Sequence, residues 1–168
     1  MFRLVLLALV FVAACGFTPV YGPTGAARGL SGQIAIDPPR DETGFIFVQQ
    51  LEDRLGRGTV GPYRLAANLN VVEERQGITP ANESVRVHVV GTLDYRLLES
   101  GTNALLREGS ITTFTAYSDP VFTRSRVTIA GNPVTVRTAR RDAITRLMTI
   151  LADRLTAELL ATASDWRQ

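Results

Sequence analysis

The sequence predicts an α+β domain: one mostly antiparallel four-stranded sheet with two helices packed on one face, in the order β-α-β-β-β-α. Three observations carry this. Between Ser84 and Leu97, Val85, Val87, Val89, Leu93, Tyr95 and Leu97 are apolar, while Arg86, His88, Thr92, Asp94 and Arg96 fill most of the alternate positions. A strand that long with one wet face belongs in an antiparallel sheet. Residues 138–163 carry a helical stripe of Ile144, Leu147, Met148, Leu151, Leu155 and Leu159, with Arg141, Arg146, Asp153 and Arg154 outside it or on its edges. Finally, "ESGTN" at 99–103 is a hairpin turn between two strand-like runs.

The remaining elements follow in order. In "GQIAIDPP", Ile34 and Ile36 alternate with polar neighbours until Pro38 and Pro39 stop a short first strand. Asp41 and Thr43 can cap a helix over 43–55, whose stripe is Phe47, Val48, Leu51 and Leu55 and which Gly56 and Gly58 close. From Tyr63 to Arg75, Leu65, Ala67, Leu69 and Val71 share one face, and Arg64, Asn68, Asn70 and Glu74 the other. Ala104–Tyr117 returns after the turn as a Thr-rich strand, and Ser118-Asp119-Pro120 ends the sheet. "RVTIAGNPVTVR" has two readings: a small hairpin, or a loop in which Asn132-Pro133 opens the last helix.

The amino end reads as a leader. Arg3 supplies a positive start, Leu4–Val12 an apolar run, and two alanines follow. The apolar stretch from Leu4 to Cys15 is 12 residues, short of the roughly 20 that span a bilayer. Val12-Ala13-Ala14-Cys15-Gly16 looks like a bacterial lipobox, which makes Cys15 the lipidation site and residues 1–14 a cleaved signal peptide. Acyl chains contribute about 0.8 kcal/mol per buried methylene, so they hold a folded body on a membrane without a spanning segment. Gly16 stands where an Asp resembles an inner-membrane retention signal, so the outer membrane is the expected destination. Residues 15–30, with several Gly and Pro, are a tether, and 31–168 form a single domain.

Composition narrows the chemistry. The chain of 168 residues is 45% hydrophobic and 20% charged, typical of a globular domain. All 18 basic residues are Arg, the side chain that grips phosphate with two parallel charge-assisted hydrogen bonds. One His and one Cys exclude the usual metal-ligand spacings, and no nucleophile elbow, phosphate loop or dinucleotide fingerprint is present. We therefore expect no enzyme activity, no metal and no cofactor. Residues 121–141 carry Arg124, Arg126, Arg137, Arg140 and Arg141 with no acid; on an envelope lipoprotein this points to an anionic ligand or a solvated helix start, and not to nucleic acid.

The lipobox, the "CGFTPVYG" that runs from it, and the element order resemble the LPS-assembly lipoprotein (LptE) family, whose opening is matched by Cys15, Gly16, Phe17, Pro19 and Tyr21. Asp119-Pro120 resembles that family's close of the sheet. The resemblance implies an outer-membrane lipoprotein of a Gram-negative envelope that plugs a large β-barrel partner (LptD-like), assists its assembly and contacts lipopolysaccharide. It assigns lipopolysaccharide binding to Arg126, with Arg124 beside it; Arg137, and Arg86 and Arg96 side by side with Arg64 on the polar sheet face, are further candidates. A second basic position of the family has no match, because 77–84 holds no Arg. The rival readings are an auxiliary lipoprotein of an envelope lipid-transport system of the ABC type, and a tethered hydrolase.

Overall fold

A computed structural model describes residues 28–76, 85–119 and 133–167. The leader, Cys15 and the tether up to residue 27 lie outside the described residues, as do Arg124 and Arg126. The elements are β1 (Ile34–Ile36), α1 (Glu42–Leu55), β2 (Tyr63–Gln76), β3 (Val85–Glu99), β4 (Leu105–Asp119), α2 (Pro133–Ala161) and a final turn, α3 (Ala163–Trp166). The expected α+β order holds, with one refinement. The sheet, ordered β1-β2-β3-β4, is mixed, because β1 pairs with β2 in parallel. The cause is the connection: α1 carries the chain back along the sheet, so β1 and β2 set out in the same direction. The other pairings are antiparallel.

Alternation buries Val87 of β3 and sends Val89, Leu93, Tyr95 and Leu97 into the core, where they meet Phe47, Leu51 and Leu55 of α1 and Leu147, Met148, Leu151, Leu155 and Leu159 of α2. Burying each such side chain stabilises the fold by about 1.5–3 kcal/mol. Gly91 lies in the same inward row, and α2 approaches the sheet closely there: a Cβ on Gly91 would stand 2.9 Å from Leu147 Cδ2 and 3.1 Å from Leu151 Cδ1.

The helix ends follow their capping chemistry. The Asp41 carboxylate accepts the Gly44 N–H at 2.7 Å, and Gly56 closes α1 at φ 79°. α2 begins at Pro133, five residues before the stripe predicted, since proline at a first helical position loses no hydrogen bond. Val134–Arg137 is therefore helical and not the second arm of a hairpin; residues 121–132 lie outside the described residues.

The two long edges differ. Along β4, Arg146 Nη2 donates to Ala116 O and Arg154 Nη1 to Thr112 O, each at 3.2 Å, so two guanidinium groups of α2 occupy outward carbonyls of the edge strand. Along β2, β1 covers only Tyr63–Leu65. Past the Asp37 N–H bond to Leu65 O, no described residue hydrogen-bonds to the outer backbone of β2. Among the described residues no helix is long and apolar enough to cross a membrane.

Candidate functional site

The body has two unlike ends. At one, Arg167 Nη1 donates to Arg28 O at 2.6 Å, Gly32 N–H bonds to Leu55 O, and Ser100 N–H bonds to Pro62 O, so the point where the described chain begins lies beside the β3–β4 turn and α3. At the other, Gln76 pairs with Arg86 and Val85 with Asp119, and α2 starts. Fifteen residues of β3 separate the two ends by about 48 Å at 3.4 Å per residue.

At the far end α1 stops short of α2, being 14 residues against 29. The upper half of β2 thus has no helix over it: Leu69 and Val71 are half-buried and Glu73 is exposed. The step left between the two helices is an open cavity of about 550 Å³, lined by Glu42, Thr43 and Ile46 of α1 and by Val134, Arg137, Thr138, Arg140, Arg141 and Ile144 of α2. It combines three guanidinium groups with three aliphatic walls.

Two of those arginines are tied. Arg140 Nε donates to Glu73 Oε1 at 2.6 Å, and Tyr117 Oη donates to Glu73 Oε2 at 2.8 Å, so one carboxylate joins α2, β2 and β4. Arg141 Nη2 reaches Glu42 Oε1 at 3.1 Å across the step, in a pair that is 75% and 72% exposed and contributes little in water. Arg137 has no side-chain partner among the described residues. Burial first, and then the hydrogen bond to Glu73, push the Tyr117 phenol up from 10.0 to about 12. The neutral phenol is the form the fold prefers, so its stabilisation is whole below pH 10 and fades between pH 10 and 12. We expect the thermal midpoint to fall across that window, and Tyr117→Phe to flatten the fall; an equal slope in the variant would assign it elsewhere.

The sheet face away from the helices is uncovered. Val72, Val90 and Phe114 form an apolar row across it by register, Phe114 being 59% exposed, and the His88 ring stacks on Phe114 with centroids 5.1 Å apart. Polar and charged residues surround this row: Glu74, Asn70, Thr92, Asp94 and Arg96. Arg86 and Arg96 share this face, but they are not side by side. Ten residues of one strand hold them about 33 Å apart. Arg96 pairs with Ala66 in the lower half, a diagonal from Arg64, and Arg86 pairs with Gln76 at the α2 end.

Of the sequence candidates, Arg137 therefore falls in the step and Arg86 at the same end of the sheet, while Arg96 falls in the lower half. The segment that carries Arg124 and Arg126 leaves Asp119 and rejoins Pro133 at this end. Arg140, Arg141, Glu42, Ile46 and Ile144 are additions: the acid-free run 121–141 signalled the arginines, whereas the apolar walls looked like ordinary helix stripe.

The comparisons agree with this architecture. A putative lipoprotein from Caulobacter crescentus superposes with a TM-score of 0.65 at 21% identity, covering 85% of this chain and 98% of that one. Rare lipoprotein B from Shewanella oneidensis gives a TM-score of 0.55 at 11% identity over 81% of this chain and 98% of its own. At these identities the likeness is one of fold. No curated protein matches the chain in sequence. Residues 31–159, nearly the whole described body, match the LptE family of lipopolysaccharide-assembly proteins, and to that family the chain belongs.

Proposed function

We propose that this chain is a lipid-anchored outer-membrane subunit that plugs an LptD-like β-barrel, assists the assembly of that barrel and helps deliver lipopolysaccharide to the outer leaflet. The observation that carries the reading is the polarity of the body. Its first described residues are at one end of a sheet about 48 Å long and its densest arginines lie toward the other, where Arg140 meets Glu73 opposite Val89, and a bilayer with headgroups is about 40–45 Å thick. With Cys15 lipidated in the inner leaflet, a body of that length reaches the level of the outer-leaflet phosphates. A sheet face bearing Glu74, Asp94 and Arg96 tolerates a protein or aqueous lumen but not lipid. In this reading Arg124, Arg126 and Arg137, with Arg86 close by, meet lipopolysaccharide phosphates, and Arg96 faces the barrel interior or the saccharide.

The test is purification of the full chain at native expression. A large outer-membrane β-barrel is expected to co-isolate, and Cys15→Ser is expected to move the protein out of the membrane fraction. Glu in place of both Arg124 and Arg126 is expected to weaken binding to purified lipopolysaccharide at least tenfold and to reduce its salt dependence, since each lost cation removes a charge contact. An inner-membrane transporter in place of the barrel would overturn the reading.

A further inference from the structure

We propose that the step between α1 and α2 holds the headgroup of a phosphorylated lipid, its phosphate on Arg137 and Arg141 and its first acyl carbons against Ile46, Val134 and Ile144. This rests on the lipopolysaccharide reading and gives it a place on the protein. The chemistry of the walls selects the ligand class. Guanidinium groups call for an oxyanion, and phosphate accepts their paired N–H groups best. Aliphatic walls add nothing for a free phosphate but bury methylenes, each contributing about 0.8 kcal/mol. Among the described residues no aromatic side chain lines the step, and stacking on aromatic rings is what single-stranded nucleic acids use.

The ion pairs divide the arginines into two roles. Arg140 is the positioning residue: Glu73, itself held by the Tyr117 phenol, fixes it to the sheet. Arg137 and Arg141 are four residues apart and so project from the same face of α2, one turn from each other. Among the described residues Arg137 has no side-chain partner, and Arg141 is held only by exposed Glu42. An arriving phosphate takes Arg137 at once and displaces the Glu42 carboxylate from Arg141 at small cost. Glu42 is therefore a competitor for the ligand, which a purely structural ion pair would not be.

The experiment uses the full chain in its own envelope. Benzoylphenylalanine, a photoreactive amino acid, replaces Val134, which is 58% exposed at the lip of the step, in cells grown on radioactive phosphate. Irradiation is expected to attach a labelled lipid. Inorganic phosphate has no C–H bond for the photoproduct to attack, so a labelled adduct reports an organic phosphate. The yield should fall at least fivefold with Arg137→Glu or Arg137→Gln and rise about twofold with Glu42→Gln. The same amino acid at Phe114 on the open sheet face should give less than a fifth of the label. A yield at Val134 no higher than at Phe114, a protein adduct in its place, or a yield indifferent to Arg137 overturns the inference. The same cells report on the barrel: co-isolation of the barrel without a lipid adduct defeats this site alone, and failure of the barrel to co-isolate defeats the function proposed above.

Discussion

Gly91→Val is expected to lower the thermal midpoint by about 6 °C, followed by circular dichroism on the full chain. Two effects oppose each other. Valine favours a strand over glycine by up to about 1 kcal/mol, which alone would stabilise β3. Against this, the added Cβ would lie 2.9 Å from Leu147 Cδ2 and 3.1 Å from Leu151 Cδ1, both on wholly buried side chains that would have to shift within the core. Overpacking of that kind costs about 1–3 kcal/mol, and two further methyl groups on Cβ put valine at the upper end. Packing wins, and the net of about 2 kcal/mol converts to roughly 6 °C for a body of this size. Gly91→Ala should cost about a third as much. A midpoint that rises in the valine variant would show that α2 does not lie against the sheet at Gly91.

Trp166→Ala is expected to destabilise by about 3–5 kcal/mol, the range for deleting a large buried aromatic. Trp166 closes the core at the end where the described chain begins, 3% exposed and edge-on to Tyr63 with centroids 5.1 Å apart. Its indole N–H has no hydrogen-bond partner among the described residues, so the loss is one of packing. Trp166→Phe should therefore keep most of the stability, and denaturant titration of both variants separates the two contributions. Equal losses in the two would mean that the N–H carries the effect.

Elements whose burial follows a strict period could be read directly from the residues. β3 has one buried and one open face along its whole length, so its alternation survives in the sequence almost unbroken. The α2 stripe is equally plain from Ile144 to Leu159, but its first turns are not. Val134, Arg137 and Arg141 border an open step instead of a core, and without burial no apolar period marks them. β1 was legible as a strand while its direction was not, since direction comes from the crossover through α1. Arg86 and Arg96 were rightly assigned to one face by parity. Parity carries no distance, and only the register shows them at opposite ends. The step itself depends on α1 being half the length of α2, a comparison between elements distant in sequence.

The unequal edges of the sheet set the valence of this protein toward other strands. Sheets polymerise when every copy offers two receptive margins, one to join and one to be joined. Here two carbonyls of the β4 margin, at Ala116 and Thr112, are already taken by Arg146 and Arg154. Among the described residues, the margin beyond Leu65 on β2 carries no such contact. The two margins are thus unequal: an added strand, from a partner or from a twin, meets fewer prior contacts at β2 than at β4, and that asymmetry disfavours the repeated two-sided joining from which fibres grow.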